Sequence, residues 1–264
     1  MSARRISDVE TFCLFLIAAQ AISVSVGIGR SQKIVGGVDV SDAEYPFLVG
    51  IDTDDSFCSG SIISRRYVLT AAHCVHKLTK SDIPHVFVRA GNMRSRQGGV
   101  AYGVDTIVVH EAYEDSGSFP HDIAIIKTNK SIKFDRYTQP ISVSESVPRV
   151  SSKVTAVGWG RIAPENRVPP VKPQEMDRTV MSRKSCAKAH RPDPINRTHI
   201  CVMGSKKLGI CAGDSGGPLV FDNLLVGITS FSGPSCAEGI PDVFTSVPYH
   251  LEWIDNTIHL LEQK

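Results

Sequence analysis

The eleven residues from Gly209 to Leu219, Gly-Ile-Cys-Ala-Gly-Asp-Ser-Gly-Gly-Pro-Leu, narrow the possible folds more than any other part of the chain. Gly213, Gly216 and Gly217 crowd around Ser215, and glycine enters the φ > 0 region without steric cost. A backbone bent that tightly can aim the N–H groups of Gly213 and Ser215 into one small space. The chemistry served by such a turn is acyl transfer. A serine hydroxyl is a weak nucleophile at neutral pH unless a base takes its proton and donors meet the oxyanion. The base and its orienting carboxylate need not be near in sequence, so the fold must bring distant segments to this loop.

Two upstream segments qualify. Leu69-Thr70-Ala71-Ala72-His73-Cys74 places a histidine after an apolar, strand-like run, and His121-Asp122-Ile123-Ala124-Ile125-Ile126 opens another such run on an aspartate. Singly, these residues read as a buried histidine, a turn aspartate and a capping serine; as a set they read as a catalytic triad. With Ile34-Val35-Gly36-Gly37, Gly158-Trp159-Gly160 and the order His, Asp, Ser, the chain resembles the chymotrypsin/trypsin family of serine endopeptidases from Ile34 to the C-terminus. The resemblance implies an all-β fold, two six-stranded antiparallel barrels with a C-terminal helix. It implies catalytic His73, Asp122 and Ser215, an oxyanion hole from the amides of Gly213 and Ser215, and Ser230 supporting the aspartate and the substrate backbone. The disulfides it implies are Cys58–Cys74, Cys186–Cys201 and Cys211–Cys236. A catalytically silent, secreted homologue that binds a partner through the same cleft is the competing class. Such proteins usually lose a triad residue or the glycine next to the serine, and His73, Asp122, Ser215 and Gly213 are all present.

The N-terminus reads as an export signal over residues 1–21: Arg4 and Arg5, the apolar run from Phe12 to Ala19, then the small-x-small site Ala19-Gln20-Ala21. Gln20, Ser23 and Ser25 break the run before it reaches the roughly 20 apolar residues of a membrane span. Residues 22–33 read as an activation propeptide ending at Lys33, and 34–264 as the peptidase domain, with barrels over about 34–145 and 146–264. By resemblance, the freed ammonium of Ile34 turns inward to Asp214. A carboxylate buried beside the oxyanion loop is costly unless paired, so the chain is expected to be a zymogen. Of seven cysteines, Cys13 leaves with the signal, and the six that remain suit an oxidising compartment.

Charge excludes other classes. The chain has 29 basic and 27 acidic residues; removing four basics and two acids with the leader leaves 25 of each. No nucleic-acid or membrane-surface partner is implied. The expected partners are protein or peptide substrates, protein inhibitors and an activating protease, acting on a monomer. No metal or cofactor is expected: there is no Cys-x-x-Cys pattern, and the loop after Gly91 lacks the acidic residues calcium requires. Asn129 and Asn196 open glycosylation sequons.

Short Val/Ile/Phe-rich runs between turn residues predict strands at Phe47–Ile51, Tyr67–Ala71, Val86–Ala90, Thr106–Val109, Ile123–Ile126, Val154–Val157, Leu219–Phe221 and Leu224–Phe231. Val247, Leu251, Ile254, Ile258 and Leu261 recur at helical spacing, with Ser246 as cap, Pro248 in the first turn, and His250 and His259 solvated. The proline-rich stretch Arg161–Pro173 predicts an exposed loop near the cleft that modulates substrate choice.

Substrate preference is where the chain departs from trypsins. The position six residues before the nucleophile, an aspartate in trypsins, is Gly209, while Asp242 stands where relatives usually carry glycine. This arrangement resembles the brachyurin (crab collagenase) type and similar arthropod chymotrypsin-like enzymes. With Ser230, Phe231 and Ser232 as further walls, it predicts cleavage after large apolar residues, with Lys/Arg second. A buried carboxylate there must stay hydrated, pair with a protein cation or await a basic substrate. Asp242 pointing away, or directing trypsin-like cleavage, are the alternatives.

Overall fold

The computed structural model describes residues 36–54, 56–94, 97–161, 168 and 170–263. The signal, the propeptide with Lys33, and Ile34 therefore lie outside the described residues, as does most of the Arg161–Pro173 stretch. Strands β1 (Val38–Asp39), β2 (Leu48–Asp52), β3 (Phe57–Ile62), β4 (Tyr67–Thr70), β5 (Phe87–Arg94), β6 (Gln97–Val109) and β7 (Ala124–Thr128) make up the first half. Six of them close a barrel in the order β2-β3-β4-β7-β6-β5. Val49, Ile51, Val68, Leu69, Ile125 and Ile126 on its strands belong to one buried core and are all sealed from solvent. These are the β-branched and leucine positions that made the runs legible.

The second half contains β8 (Ser142–Val143), β9 (Lys153–Gly158), β10 (Gln174–Thr179), helix α1 (Arg183–Ala189), β11 (His199–Val202), β12 (Pro218–Phe221), β13 (Leu224–Phe231), β14 (Asp242–Ser246) and helix α2 (Leu251–Glu262). The sheet order is β1-β10-β9-β12-β13-β14-β11, with β8 pairing alongside β13. Six of these strands correspond to the expected second barrel; β1 and β8 are additions at its margins. The β10/β11 seam is closed by one isolated bridge, Val180–Val202. Flanking it, Met181 donates to Cys201 (2.9 Å) and Met203 to Thr179 (2.8 Å).

Two expectations need correcting at the C-terminus. The helix starts at Leu251 after a 3₁₀ turn, Pro248–His250, and Ser246 does not cap it but ends β14. His250 is buried rather than solvated, because its Nδ1 donates to the Ser246 carbonyl (2.7 Å) and folds the ring inward. Helix α1 was not anticipated. Seven residues are too few for a readable period, but Ser182 caps it through the Ser185 amide (3.2 Å). Among the described residues no helix is long and apolar enough to cross a membrane.

Candidate active site

His73 sits in a 3₁₀ turn, Ala72–Cys74, that follows β4 directly. Disulfide Cys58–Cys74 ties that turn back to β3. Cys186–Cys201 joins α1 to β11, and Cys211–Cys236 links the serine loop to the segment after β13. Each closes a loop of 15–25 residues, a constraint worth about 2–4 kcal/mol in an unstrained bond.

Asp122 enters from the turn before β7. Phe119 and His121 hold φ of 43° and 54° there, a region L-residues rarely occupy and one found at functional sites. The carboxylate is fully buried and satisfied three times over. One oxygen accepts the His73 amide (2.8 Å); the other accepts the His73 ring at Nδ1 (2.7 Å) and the Ser230 hydroxyl (2.6 Å). Thr245 in β14 also donates to the Asp122 carbonyl (2.8 Å), locking the two halves together. Ser230 reaches it through a bulge: Thr229 pairs with Phe244 and Phe231 with Val243, so Ser230 is the extra residue. Bulges re-aim side chains in this way. Burial is the largest influence on His73 and pushes its pKa down. The charge and hydrogen bond of Asp122, with Asp115 adding, outweigh it and leave the imidazole above its ordinary value.

Ser215 lies between these halves. Its carbonyl accepts the Ser59 amide in β3 (2.7 Å), and the Ser59 hydroxyl donates to the Gly213 carbonyl (3.0 Å). Ser59 is a buried polar residue that hydrophobic patterning could not have singled out. Gly213 has φ 106° and Gly216 φ 78°, and a Cβ on Gly216 would fall 2.2 Å from Thr70 Oγ1. Among the described residues, the N–H groups of Gly213 and Ser215 have no hydrogen-bond acceptor. His73 Nε2 lies 3.7 Å from Cys74 Sγ, and no hydrogen bond joins it to the Ser215 hydroxyl.

Asp214 explains the Gly-Trp-Gly triplet. Its buried carboxylate accepts the amides of Gly160 (2.7 Å) and Cys211 (2.9 Å). A Cβ on Gly158 or Gly160 would come within 2.2 and 2.0 Å of its oxygens, so only glycine admits this carboxylate.

A cavity of about 390 Å³ opens beside Ser215, with Ile210, Ala212, Ser230, Phe231 and Ser232 in its wall. Phe231 is fixed edge-on by the rings of His190 and His199. Gly209 and Asp242 do not line it. A Cβ on Gly209 would meet the Ala237 backbone at 3.1 Å. The Asp242 carboxylate is buried behind the wall, 3.4 Å from the Ile210 amide and 3.5 Å from the Arg178 guanidinium of β10. Of the three outcomes open to a buried carboxylate at this position, Asp242 takes the protein cation and lies outside the cavity lining. Burial pushes its pKa up to about 7, although Arg178 and the Ile210 amide pull the other way.

Two groups with metal-ligating atoms also converge. Cys58, His73 and Cys74 do so, but both cysteines are spent in a disulfide. His110, His121 and His250 pack behind Asp122. His121 Nδ1 meets His250 Nε2 at 3.1 Å, while His110 Nδ1 accepts from the Ala112 N–H (3.1 Å). The exposed sequon residues Asn129 and Asn196 lie away from the cavity wall, and Asn196 Oδ1 accepts from the Thr198 amide (2.8 Å).

Known proteins place this geometry. The family model described as Trypsin matches residues 34–254. Chymotrypsin-2 of Vespa crabro is 34% identical over 223 residues, covering 84% of this chain and 98% of that protein. Trypsin Blo t 3 of Blomia tropicalis is 34% identical over 261 residues, covering 92% and 95%. The solved structure of neuropsin, a serine protease expressed in the limbic system of mouse brain, superposes with a TM-score of 0.76 at 28% identity, covering 84% and 98%. The chain belongs to the trypsin family of serine endopeptidases.

Proposed function

We propose that Ser215 is the nucleophile, His73 its general base and Asp122 the group that fixes the imidazole. Ser215 Oγ attacks the substrate carbonyl carbon while His73 Nε2 takes the hydroxyl proton. Asp122, held at Nδ1, keeps the lone pair on Nε2 and stabilises the imidazolium. The carbonyl oxygen becomes an oxyanion between the amides of Gly213 and Ser215. His73 then returns the proton to the departing amine, and water repeats the cycle on the acyl-enzyme. The observation that carries this reading is the Asp122 carboxylate, which binds His73 and Ser230 at once. Catalytic hydrogen bonds in a free enzyme often form only when substrate arrives, which accommodates the absence of a His73–Ser215 hydrogen bond here.

The chain is exported, held as a precursor and activated by a protease that cuts after Lys33, whereupon the Ile34 ammonium pairs with Asp214. It acts as a monomer on extracellular protein substrates, subject to protein inhibitors, with Asn129 and Asn196 as glycan acceptors. A wall that contains Phe231 and no carboxylate, with Arg161 as its one charged residue among the described residues, supports cleavage after large apolar residues. Ser215→Ala should abolish covalent labelling by an organophosphate in the form beginning at Ile34. Labelling that survives removes Ser215 from the role.

A further inference from the structure

Arg178 lies on a strand whose sequence gave no hint of it. Along β10, Gln174-Glu175-Met176-Asp177-Arg178-Thr179, the inward positions are Gln174, Met176 and Arg178. Arginine is rarely buried so completely without a partner, and here only 5% of it is exposed. Its guanidinium donates to the Met203 carbonyl and faces Asp242, while Nε has no hydrogen-bond partner. The pair thus spans β10 and β14, and among the described residues the one other donor to the carboxylate is the amide of Ile210, a residue of the cavity wall. Asp214 is the other charge that Asp242 senses, and it is repulsive.

We propose that Arg178 is a specificity-positioning residue: by holding Asp242 behind the Ile210 wall, it keeps the substrate cavity free of negative charge and withholds a carboxylate that would otherwise recruit Lys or Arg side chains. This rests on the protease reading above. Geometry supports it, because Asp242 is one backbone amide away from the cavity and Arg178 is its only cationic partner among the described residues. Removing the guanidinium leaves a carboxylate that must find water or a cation, and the cavity lies beyond the Ile210 amide that Asp242 already contacts.

The test uses activated wild type, Arg178→Met, Asp242→Asn and the double variant on peptide anilides that differ only in a Phe or Arg before the cut. Arg178→Met should raise the Arg:Phe ratio of kcat/KM by roughly tenfold, mainly through a lower KM for Arg. The double variant should erase the gain, and Asp242→Asn alone should leave the ratio within about twofold of wild type. A purely structural role for Arg178 would lower both substrates together. An unchanged ratio in Arg178→Met, a gain that persists in the double variant, or a drop in Arg cleavage with Asp242→Asn alone overturns the proposal. The last arm decides even where Arg178→Met fails to fold. Loss of all cleavage in wild type would instead condemn the protease reading.

Discussion

Asp122 and Asp242 are both buried carboxylates, each facing a basic side chain, and each stands one group behind the cavity wall. Asp122 touches it through Ser230 and Asp242 through Ile210. They are held differently. Asp122 accepts three bonds of 2.6–2.8 Å, whereas the two contacts of Asp242 are 3.4 and 3.5 Å. A buried charge costs several kcal/mol unless hydrogen bonds and a counter-charge fully replace its water. Asp122 meets that condition and serves as a fixed reference for the imidazole. Asp242 does not, and its pKa, driven up to about 7 by burial, makes it the group that responds to its surroundings.

Asn substitutions should separate the two most widely in turnover. In Asp122→Asn, the amide donates toward His73 Nδ1, imposes the wrong tautomer and should lower kcat by roughly 10⁴-fold with the fold intact. Asp242→Asn should cost less than about tenfold on a Phe substrate. The pH profile sharpens the contrast. Cleavage needs the neutral imidazole, so kcat/KM should rise with pH around an inflection above the ordinary histidine value, because Asp122 stabilises the imidazolium. That inflection should fall in Asp122→Asn. A loss smaller than about a hundredfold would remove the distinction between the two carboxylates.

Stability should separate them in the opposite sense. An acid whose pKa rises from 3.8 to about 7 on folding binds more protons folded than unfolded between those values. Its contribution is present below pH 3.8 and lost as pH climbs through 7, about 4 kcal/mol in total. Denaturant unfolding of Ser215→Ala protein, which cannot digest itself, should therefore show Asp242→Asn gaining stability relative to its parent as pH rises from 5 to 8. A difference independent of pH would mean that the Arg178 contact already satisfies the charge.

The histidines behind Asp122 act on the acid side. Burial is the main cause of the low His250 pKa, about 4 against 6.5 unfolded, with His110 and His121 adding repulsion. Here the unfolded chain binds the extra proton, so stability falls as pH drops from 6.5 toward 4, by roughly 3 kcal/mol from this ring. His250→Gln in the same Ser215→Ala background should flatten that limb and leave the limb governed by Asp242 unchanged. Movement of both limbs would show that the two regions are coupled.

How far this was readable follows the same division. Strands filled by Val, Ile and Leu, such as β7 and β13, announce themselves by composition, and the triad segments by local motif. What stayed hidden was polar and inward-facing. Arg178 breaks the apolar alternation of β10, Ser59 does so in β3, and His250 looked like a solvated helix residue until a 3₁₀ turn folded it under. A polar residue is buried because of a partner far away in sequence, and one-dimensional periodicity carries no trace of that partner. Asp242 was noticed as an oddity, but only the register of β10 against its neighbours supplies its cation.

Ser230 offers the finest test of why Asp122 is fixed. Its hydroxyl is one of three donors to that carboxylate, delivered by a bulge whose backbone does not depend on the side chain. Ser230→Ala should therefore leave the His73 amide and ring bonds in place and remove one charge-assisted hydrogen bond, worth about 1.5–3 kcal/mol at most. The expected loss in kcat is roughly tenfold, far short of that in Asp122→Asn, with partial recovery in Ser230→Thr, which restores a hydroxyl. If Ser230→Ala falls as far as Asp122→Asn, the orientation of the imidazole belongs to the saturated network rather than to the carboxylate. Asp122 and Asp242 would then differ only in how many donors surround them, and supplying Asp242 with one more donor should lower its pKa toward the ordinary carboxylate range.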